Sequence, residues 1–176
     1  VLDPAVVQAQ LATGAAGFAQ AGGLYMAALA DRFHDQIKAY ALDKGATRVA
    51  ILNVPGITKT PRFQFVLAGI AAQGGDAAAA QAEAVFDGWV QAFNSRLASK
   101  FAGNSRVAIV DFYTEFKAQI ANPAQFGLSN VAMPACPIVG TGSDGLPSYD
   151  LAPCTATALS AAPPAGVTGG ADWWKT

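Results

Sequence analysis

His34 is the only histidine in the 176-residue sequence, so a Ser-His-Asp triad built from this chain alone would have to use it. It lies between Phe33 and Asp35, in a segment with helical periodicity. Histidines of such triads usually lie on loops that reach the nucleophile, and no serine near His34 lies on a strand-to-helix turn. We therefore expect His34 to be a solvated or locally paired residue on a helix.

A second candidate for nucleophilic chemistry is the segment Thr141-Gly-Ser-Asp-Gly145, in which a serine precedes an aspartate. A nucleophilic serine of an α/β hydrolase follows a strand and opens a helix. This segment follows no predicted strand and precedes no predicted helix, and its Gly, Ser and Asp residues are typical of turns. We interpret it as a turn.

Asp111 lies at the carboxyl end of a predicted parallel strand, where α/β folds place ligands and catalytic groups. A structural role is also open to it, because an aspartate in this position can cap the following helix. We favour the capping role. The sequence contains no phosphate-binding loop, no GxGxxG fingerprint and no paired-histidine metal motif, so we expect neither a cofactor nor a metal site.

Cys136 and Cys154 are the two cysteines, and both lie in a segment rich in Pro, Gly and Ser. Such a pair can form a disulfide or remain as two thiols. Neither cysteine has a nearby histidine, and the CxxC spacing of metal and redox motifs is absent. These observations favour a disulfide, and a disulfide would favour an exported location.

The sequence pattern predicts the helices and strands that position these residues. The pattern predicts helices over Pro4–Leu11, Leu24–Asp43, Ala77–Phe101 and Thr114–Ala121, with Gly45 ending the second of them. Ala12–Gly23 is expected to be a flexible connector because of its glycines, and Ile57–Gly75 is expected to be less regular. Trp89 is a candidate core residue, and Trp173 and Trp174 are candidates for packing the C-terminal segment onto the domain.

Two short apolar runs, Arg48–Val54 and Arg106–Phe112, have the same pattern: a basic residue, four apolar residues and then a polar one. We predict that both are buried parallel strands, joined by the long helix in a right-handed βαβ unit. Residues 1–122 would thus hold the helices and two parallel strands. Residues 123–176 would form an irregular region closed by the disulfide, within a single α/β domain or a fragment of one.

Composition excludes several classes of function. Eleven Lys and Arg nearly balance twelve Asp and Glu, and no basic patch is present, so a nucleic-acid partner is not expected. The sequence has no stretch of apolar residues long enough for a transmembrane helix and no signal-peptide pattern. Because it begins with Val1 rather than Met, we expect an upstream segment to have been removed.

Two blocks of sequence resemble the GDSL-type (SGNH) lipase and esterase family. Lys44–Pro61 is KGATRVAILNVPGITKTP, which is similar to the family's strand followed by N-[LV]-P-x-[LI]-x-x-T-P. Val107–Phe112, then Tyr113–Phe116 and Asn122–Gly127, resemble the family's later "vDvyslf…nP..yGf" block. The blocks occur in the family's order and spacing, and the cysteine-containing segment resembles the disulfide loop of some secreted members.

This resemblance implies a flavodoxin-like three-layer αβα sandwich with a parallel sheet, incomplete in this chain. It implies a secreted or periplasmic bacterial serine carboxylic ester hydrolase that acts on a small-molecule or lipid ester through an acyl-enzyme. Such an enzyme could be an esterase, a lipase or a phospholipase, or it could be an acyltransferase. The turn Pro55-Gly56-Ile57 would border the substrate cleft. The family's Gly-Asp-Ser, Gly-x-Asn-Asp and Asp-x-x-His blocks do not occur here, so no catalytic residue can be assigned.

In the family these missing blocks lie upstream of the first strong helix of this chain and just beyond its C-terminal segment. We therefore expect the chain to be the middle-to-late portion of a hydrolase, with the remaining segments of the same protein as its partner. A non-catalytic binding or interaction module on the same α/β scaffold is the alternative, because a fold does not determine a function.

Overall fold

The structure is a computed structural model, which describes residues 2–143, 145–152 and 154–161. Trp173 and Trp174 lie outside these ranges. The helices are α1 (Pro4–Leu11), α2 (Ala15–Tyr40), α3 (Pro61–Phe101), α4 (Phe112–Ala121) and α5 (Ala156–Ala161), and the strands are β1 (Val49–Leu52), β2 (Val107–Val110), β3 (Ile138–Thr141) and β4 (Pro147–Tyr149).

Helix α2 begins at Ala15, so the prediction of a connector over Ala12–Gly23 is confirmed only for Ala12–Gly14 and is wrong for the rest. Gly14 separates α1 from α2 with a φ of 77°, whereas Gly22, within α2, allows close packing. A Cβ atom at Gly22 would collide with the indole of Trp89, whose Nε1 donates a hydrogen bond to the carbonyl of Ala19 at 2.7 Å. The packing energy gained there offsets the low helix propensity of glycine.

Gly45 ends the helical segment that begins with α2, as predicted. A short 3₁₀-helix, Leu42–Lys44, follows α2, and Gly45 has a φ of 96°, in the left-handed region that glycine adopts without steric cost. The amide of Gly45 donates to the carbonyl of Leu42 at 3.2 Å. The chain then enters β1 within a few residues.

Helix α3 is longer than predicted, because Ile57–Gly75 is largely helical rather than irregular. A 3₁₀-helix, Ile57–Lys59, leads into α3, whose first residue is Pro61, a favoured residue at that position. The Thr60 hydroxyl accepts from the amide of Phe63 at 3.4 Å, an N-cap contact. Gly75, with φ 79° and ψ 171°, interrupts α3 just before the predicted helix Ala77–Phe101.

Strands β1 and β2 pair in parallel, as predicted, with Val49 opposite Val107 and Ile51 opposite Ile109. They are buried on only one face, which corrects the prediction of fully buried strands. The inner face holds Ile51, which is 5% exposed, whereas Leu52 and Val110 on the outer face are 60% and 46% exposed. No further strand pairs with β1 or β2 among the described residues.

Helix α2 and the C-terminal half of α3 pack on the inner face of this sheet. The buried cluster contains residues from α2, the 3₁₀-helix, β1 and α3: Ala30, Leu42, Ile51, Phe93, Leu97 and Phe101. Outside the cluster, Arg96 of α3 forms two hydrogen bonds with the carboxylate of Asp31 in α2, at 2.8 and 3.0 Å. The hydrogen bond from Arg96, with further help from Lys100, lowers the pKa of Asp31.

The described part of the region after Pro123, up to residue 161, is more regular than predicted. Strands β3 and β4 form an antiparallel hairpin, and the amide of Asp150 donates to the carbonyl of Pro137 at 3.1 Å beyond its open end. The predicted disulfide between Cys136 and Cys154 is present. The disulfide therefore closes a loop from Cys136 to Cys154 that contains the hairpin, and the short helix α5 follows this loop.

The chain is a mixed α/β protein with one small parallel sheet and one antiparallel hairpin. It divides into two compact units. The first unit is Val1–Gly56 with Glu83–Thr114, and the second unit is Ile57–Ala82 with Glu115–Thr176. The first contains the parallel sheet and the second contains the hairpin and the disulfide.

Candidate functional site

Polar side chains meet at the carboxyl end of the parallel sheet in the first unit. Asn53 follows β1 and Asp111 follows β2, and because the strands are in register their side chains lie side by side. The Asn53 amide donates to the Asp111 carboxylate at 3.0 Å, and its carbonyl oxygen accepts from the amide of Tyr113 at 2.7 Å. Asn53 thus links the ends of both strands to the start of α4.

Asp111 caps helix α4, which confirms the structural role favoured from the sequence. Its carboxylate accepts from the backbone amide of Thr114 at 3.1 Å, the contact expected of an N-cap. The hydrogen bond from Asn53, followed by those from Thr114, lowers the pKa of Asp111. A carboxylate held in its charged form is an acceptor and a helix cap, and is poorly suited to donating a proton near neutral pH.

Replacing Asp111 tests this capping role. Asp111→Ala should lower the free energy of unfolding by about 1 kcal/mol at neutral pH, whereas Asp111→Asn should lose less, because its side-chain oxygen can still accept from the Thr114 amide but carries no charge. Since the pKa of Asp111 is lowered in the folded state, its contribution is complete above the unfolded pKa, about 4, and is lost as the pH falls through the folded pKa.

Urea unfolding at neutral pH and at about pH 3 provides the measurement. The difference between wild type and Asp111→Ala should shrink on acidification. A difference that stays constant or grows at low pH would contradict the cap.

The segment that leads from β1 into the predicted substrate turn is held by Asn94 of α3. The side-chain oxygen of Asn94 accepts from the amide of Val54, and its nitrogen donates to the carbonyl of Val54, both at 2.8 Å. This pair of bonds replaces the strand partner that Val54 lacks in the sheet. It fixes the direction in which the chain leaves β1.

The predicted substrate-binding residues directly follow Val54, which the two hydrogen bonds of Asn94 hold in place; we call this pair of bonds the Asn94 clamp. Pro55 is half-buried, Gly56 is buried, and Ile57, which opens the 3₁₀-helix, is 39% exposed. Their participation in binding stays a prediction. The structure adds that the Asn94 clamp lies immediately before Pro55.

The other two sequence candidates occupy structural positions. His34 lies within α2, where its Nδ1 is 2.9 Å from the Asp35 carboxylate and its ring packs on Phe101. Ser143 lies in the turn between β3 and β4, where the amide of Gly145 donates to the carbonyl of Gly142 at 3.0 Å. His34 is thus locally paired and the Ser143 segment is a turn, as predicted; Asp144 lies outside the described residues.

The second unit contains a cleft of about 500 Å³ that the sequence analysis did not predict. Its lining is mainly apolar and comes from the start of α3, from α4, and from the loop and hairpin closed by the disulfide. The apolar and aromatic lining residues include Phe116, Ile120, Leu128, Met133, Tyr149 and Leu151. The only signal in the sequence was the combination of a long irregular segment, a cysteine pair and scattered large apolar residues.

Three local interactions hold the walls of this cleft. The buried side chain of Asn130 accepts from the amides of Ala132 and Met133 and donates to the carbonyl of Met133, at 2.8–3.0 Å. Arg62 donates to the carbonyl of Pro147 at 2.9 Å, and its guanidinium lies 5.8 Å from the centre of the Tyr149 ring. Cys136, itself a lining residue, is tied by the disulfide to Cys154.

Within residues 2–143, 145–152 and 154–161, no group of three or more His, Cys, Asp or Glu side chains could hold a metal ion. None of the helices in this part of the chain is both long and apolar enough to cross a membrane. No protein-family model matches the sequence, and comparisons with curated proteins and with solved structures give no significant match.

Proposed function

We propose that this chain is part of a secreted serine carboxylic ester hydrolase that acts through an acyl-enzyme. The observation that carries the proposal is the apolar outer face of the parallel sheet, where Leu52 and Val110 are 60% and 46% exposed. Parallel sheets are normally covered on both faces by helices. In a flavodoxin-like αβα sandwich, the remaining segments of the same protein would cover this face.

The carboxyl end of the sheet supports the same proposal. In α/β enzymes the reacting groups gather at that end, and here Asn53, Asp111 and the Asn94 clamp order the backbone around it. These residues would position the turn Pro55-Gly56-Ile57 as one border of the substrate cleft. The two sequence blocks that resemble the GDSL family include β1 and β2.

The reacting groups would come from the remaining segments. A serine hydroxyl would add to the acyl carbon of a small-molecule or lipid ester while a histidine takes its proton, and the alcohol would leave with that proton. Backbone amides would stabilise the oxyanion. Water would then release the acid from the acyl-enzyme, whereas a second alcohol would make the reaction an acyl transfer.

A secreted or periplasmic location in a bacterium fits the Cys136–Cys154 disulfide, because disulfides persist in oxidising compartments. The disulfide would close the loop after α4 and limit its motion. The proposed hydrolase needs no metal or cofactor.

Pre-steady-state hydrolysis of p-nitrophenyl esters by the intact native protein tests the proposed function. An acyl-enzyme predicts a burst of p-nitrophenol close to one equivalent per protein, followed by slower turnover. Cooperative thermal unfolding serves as the control that the sample is folded. A folded protein with no hydrolysis above the buffer rate would contradict the proposal.

A non-catalytic binding module is the second candidate, and the cleft of the second unit favours it. The described residues that line the cleft include neither a histidine nor a carboxylate, so they are equipped for binding rather than for acid–base chemistry. Specific binding of a ligand without hydrolysis of p-nitrophenyl esters would support this candidate over the hydrolase.

A further inference from the structure

The cleft of the second unit has the size and lining of a binding site for a small apolar molecule. Its volume of about 500 Å³ lies within the range of about 300–1,000 Å³ that is typical of ligand pockets. Phe116, Leu128 and Met133 contribute apolar side chains to the lining. A ligand with an apolar body would release water from these surfaces on binding.

The walls of the cleft are ordered before any ligand arrives. The three hydrogen bonds of Asn130 fix the backbone at Ala132 and Met133, and the disulfide at Cys136 closes the loop that carries Tyr149. Preformed walls lower the conformational entropy that a ligand must overcome. The walls of the cleft therefore do not have to become ordered when a ligand binds.

Tyr149 contributes a hydroxyl group to a lining that is mainly apolar. Its ring lines the cleft, but its hydroxyl oxygen is buried and has no hydrogen-bond partner. Buried polar groups in native proteins are nearly always hydrogen-bonded, so an exception needs an explanation. An acceptor on a bound ligand would provide the missing partner for this hydroxyl.

The charged side chains of the lining indicate which net charge a ligand can carry. Among the described residues that line the cleft, Arg62 is the only charged one, and its guanidinium donates to the Pro147 carbonyl and lies over the Tyr149 ring. With no carboxylate in this lining, a cationic ligand would have no counter-charge. Because the Pro147 carbonyl and the Tyr149 ring already engage the Arg62 guanidinium, an uncharged molecule with a hydrogen-bond acceptor fits this lining better than an ion of either sign.

We infer that the cleft binds a linear, uncharged apolar molecule that carries a carbonyl group, such as an alkyl ketone or an ester. The alkyl chain lies against the apolar lining that includes Phe116, Leu128 and Met133. The carbonyl oxygen accepts a hydrogen bond from the Tyr149 hydroxyl, the only buried side-chain polar atom without a hydrogen-bond partner among the described residues of the lining. This site needs no serine nucleophile, so it goes beyond the proposed hydrolase.

Calorimetric titration of the intact native protein with methyl ketones of seven, nine and eleven carbons tests the site. Ketones have no leaving group, so the proposed hydrolase would not consume them. Burial of the chain predicts saturable binding that tightens about tenfold for each two methylenes added. The absence of saturable binding, as when a segment of the protein itself fills the cleft, would overturn the inference.

Ala135→Phe locates the binding, because Ala135 lines the cleft and a phenyl group there would occupy part of the volume. Ala132→Phe is the matched control, since Ala132 lies in the same loop but is exposed and is not a lining residue. Ketone affinity should fall at least tenfold in Ala135→Phe and remain unchanged in Ala132→Phe. Equal affinities in these two variants would place the ketone elsewhere.

Tyr149→Phe isolates the hydrogen bond. It should weaken ketone binding about threefold to tenfold while the thermal unfolding temperature stays the same or rises, because the deleted hydroxyl has no partner in the free protein. The infrared carbonyl stretch of a bound ¹³C-labelled ketone should lie at lower frequency in wild type than in Tyr149→Phe. Identical stretches would overturn the role of Tyr149, even if Ala135→Phe failed to fold.

The two proposals fail separately in these experiments. Ketone binding without hydrolysis of p-nitrophenyl esters above the buffer rate would leave the cleft in place and remove the hydrolase. A burst without ketone binding to the cleft would do the reverse.

Discussion

Replacement of Leu97 by alanine should lower the free energy of unfolding by about 2–5 kcal/mol, among the largest effects available to a single substitution in this chain. Leu97 is completely buried in the cluster that joins α2 and α3 to the inner face of the parallel sheet. Alanine would leave a cavity beside Phe93 and Phe101, because a packed core relaxes only partly around a deleted side chain.

Leu24→Ala is the matched control for this substitution. Leu24 lies on α2 in the same unit but is 39% exposed, so its replacement should change the free energy of unfolding by only about 0.5 kcal/mol. Urea denaturation followed by circular dichroism measures both variants. Equal losses in the two variants would mean that Leu97 is not at the centre of the core.

Removal of the disulfide should have the second large effect. The double variant Cys136→Ala, Cys154→Ala should lose about 3 kcal/mol of stability, because the bond closes a loop with a sequence separation of 18 residues and restricts the unfolded chain. The loss should be accompanied by weaker ketone binding, since Cys136 lines the cleft and Cys154 holds it in place.

Reduction provides an independent check of the same bond. Dithiothreitol should destabilise the wild-type protein and leave the double variant unchanged, and thiol titration of the unfolded, unreduced protein should detect no free thiol. Two titratable thiols, or an unfolding transition insensitive to dithiothreitol, would contradict the structure at this position.

The sequence was informative where local pattern and tertiary environment agree. Two β-branched runs predicted β1 and β2 and their parallel pairing, and Gly45 marked the end of a helical region. Asp111 was predicted to cap the helix after β2, and it does so through Thr114. At Gly45 and Asp111, nearby residues decide the conformation.

Predictions failed where distant residues decide the outcome. Gly22 was interpreted as a helix breaker, but it lies in a helix because the Trp89 indole, far along the chain, occupies the space of its missing side chain. The strands were predicted to be buried because their sequences are apolar, yet burial depends on which elements cover each face. The outer face, with Leu52 and Val110, is uncovered in the structure.

The cleft could not be predicted from sequence because its walls come from segments far apart in the chain. Thr60 and Arg62 precede Phe116 by more than fifty positions, and Tyr149 lies further on. No periodicity links such residues. A sequence also cannot show that the buried Tyr149 hydroxyl lacks a hydrogen-bond partner, because that depends on which groups surround it in space.

Covalent labelling of the intact native protein with a fluorophosphonate probe tests the proposed function most directly, because such probes react with activated serine hydroxyls. The labelled peptide would be identified by tandem mass spectrometry. The proposal predicts about one equivalent of label on a serine outside the 176 residues of this sequence, with loss of ester hydrolysis. A folded native protein that takes up no label, or that is labelled at Ser143 or another serine of this chain, would contradict it.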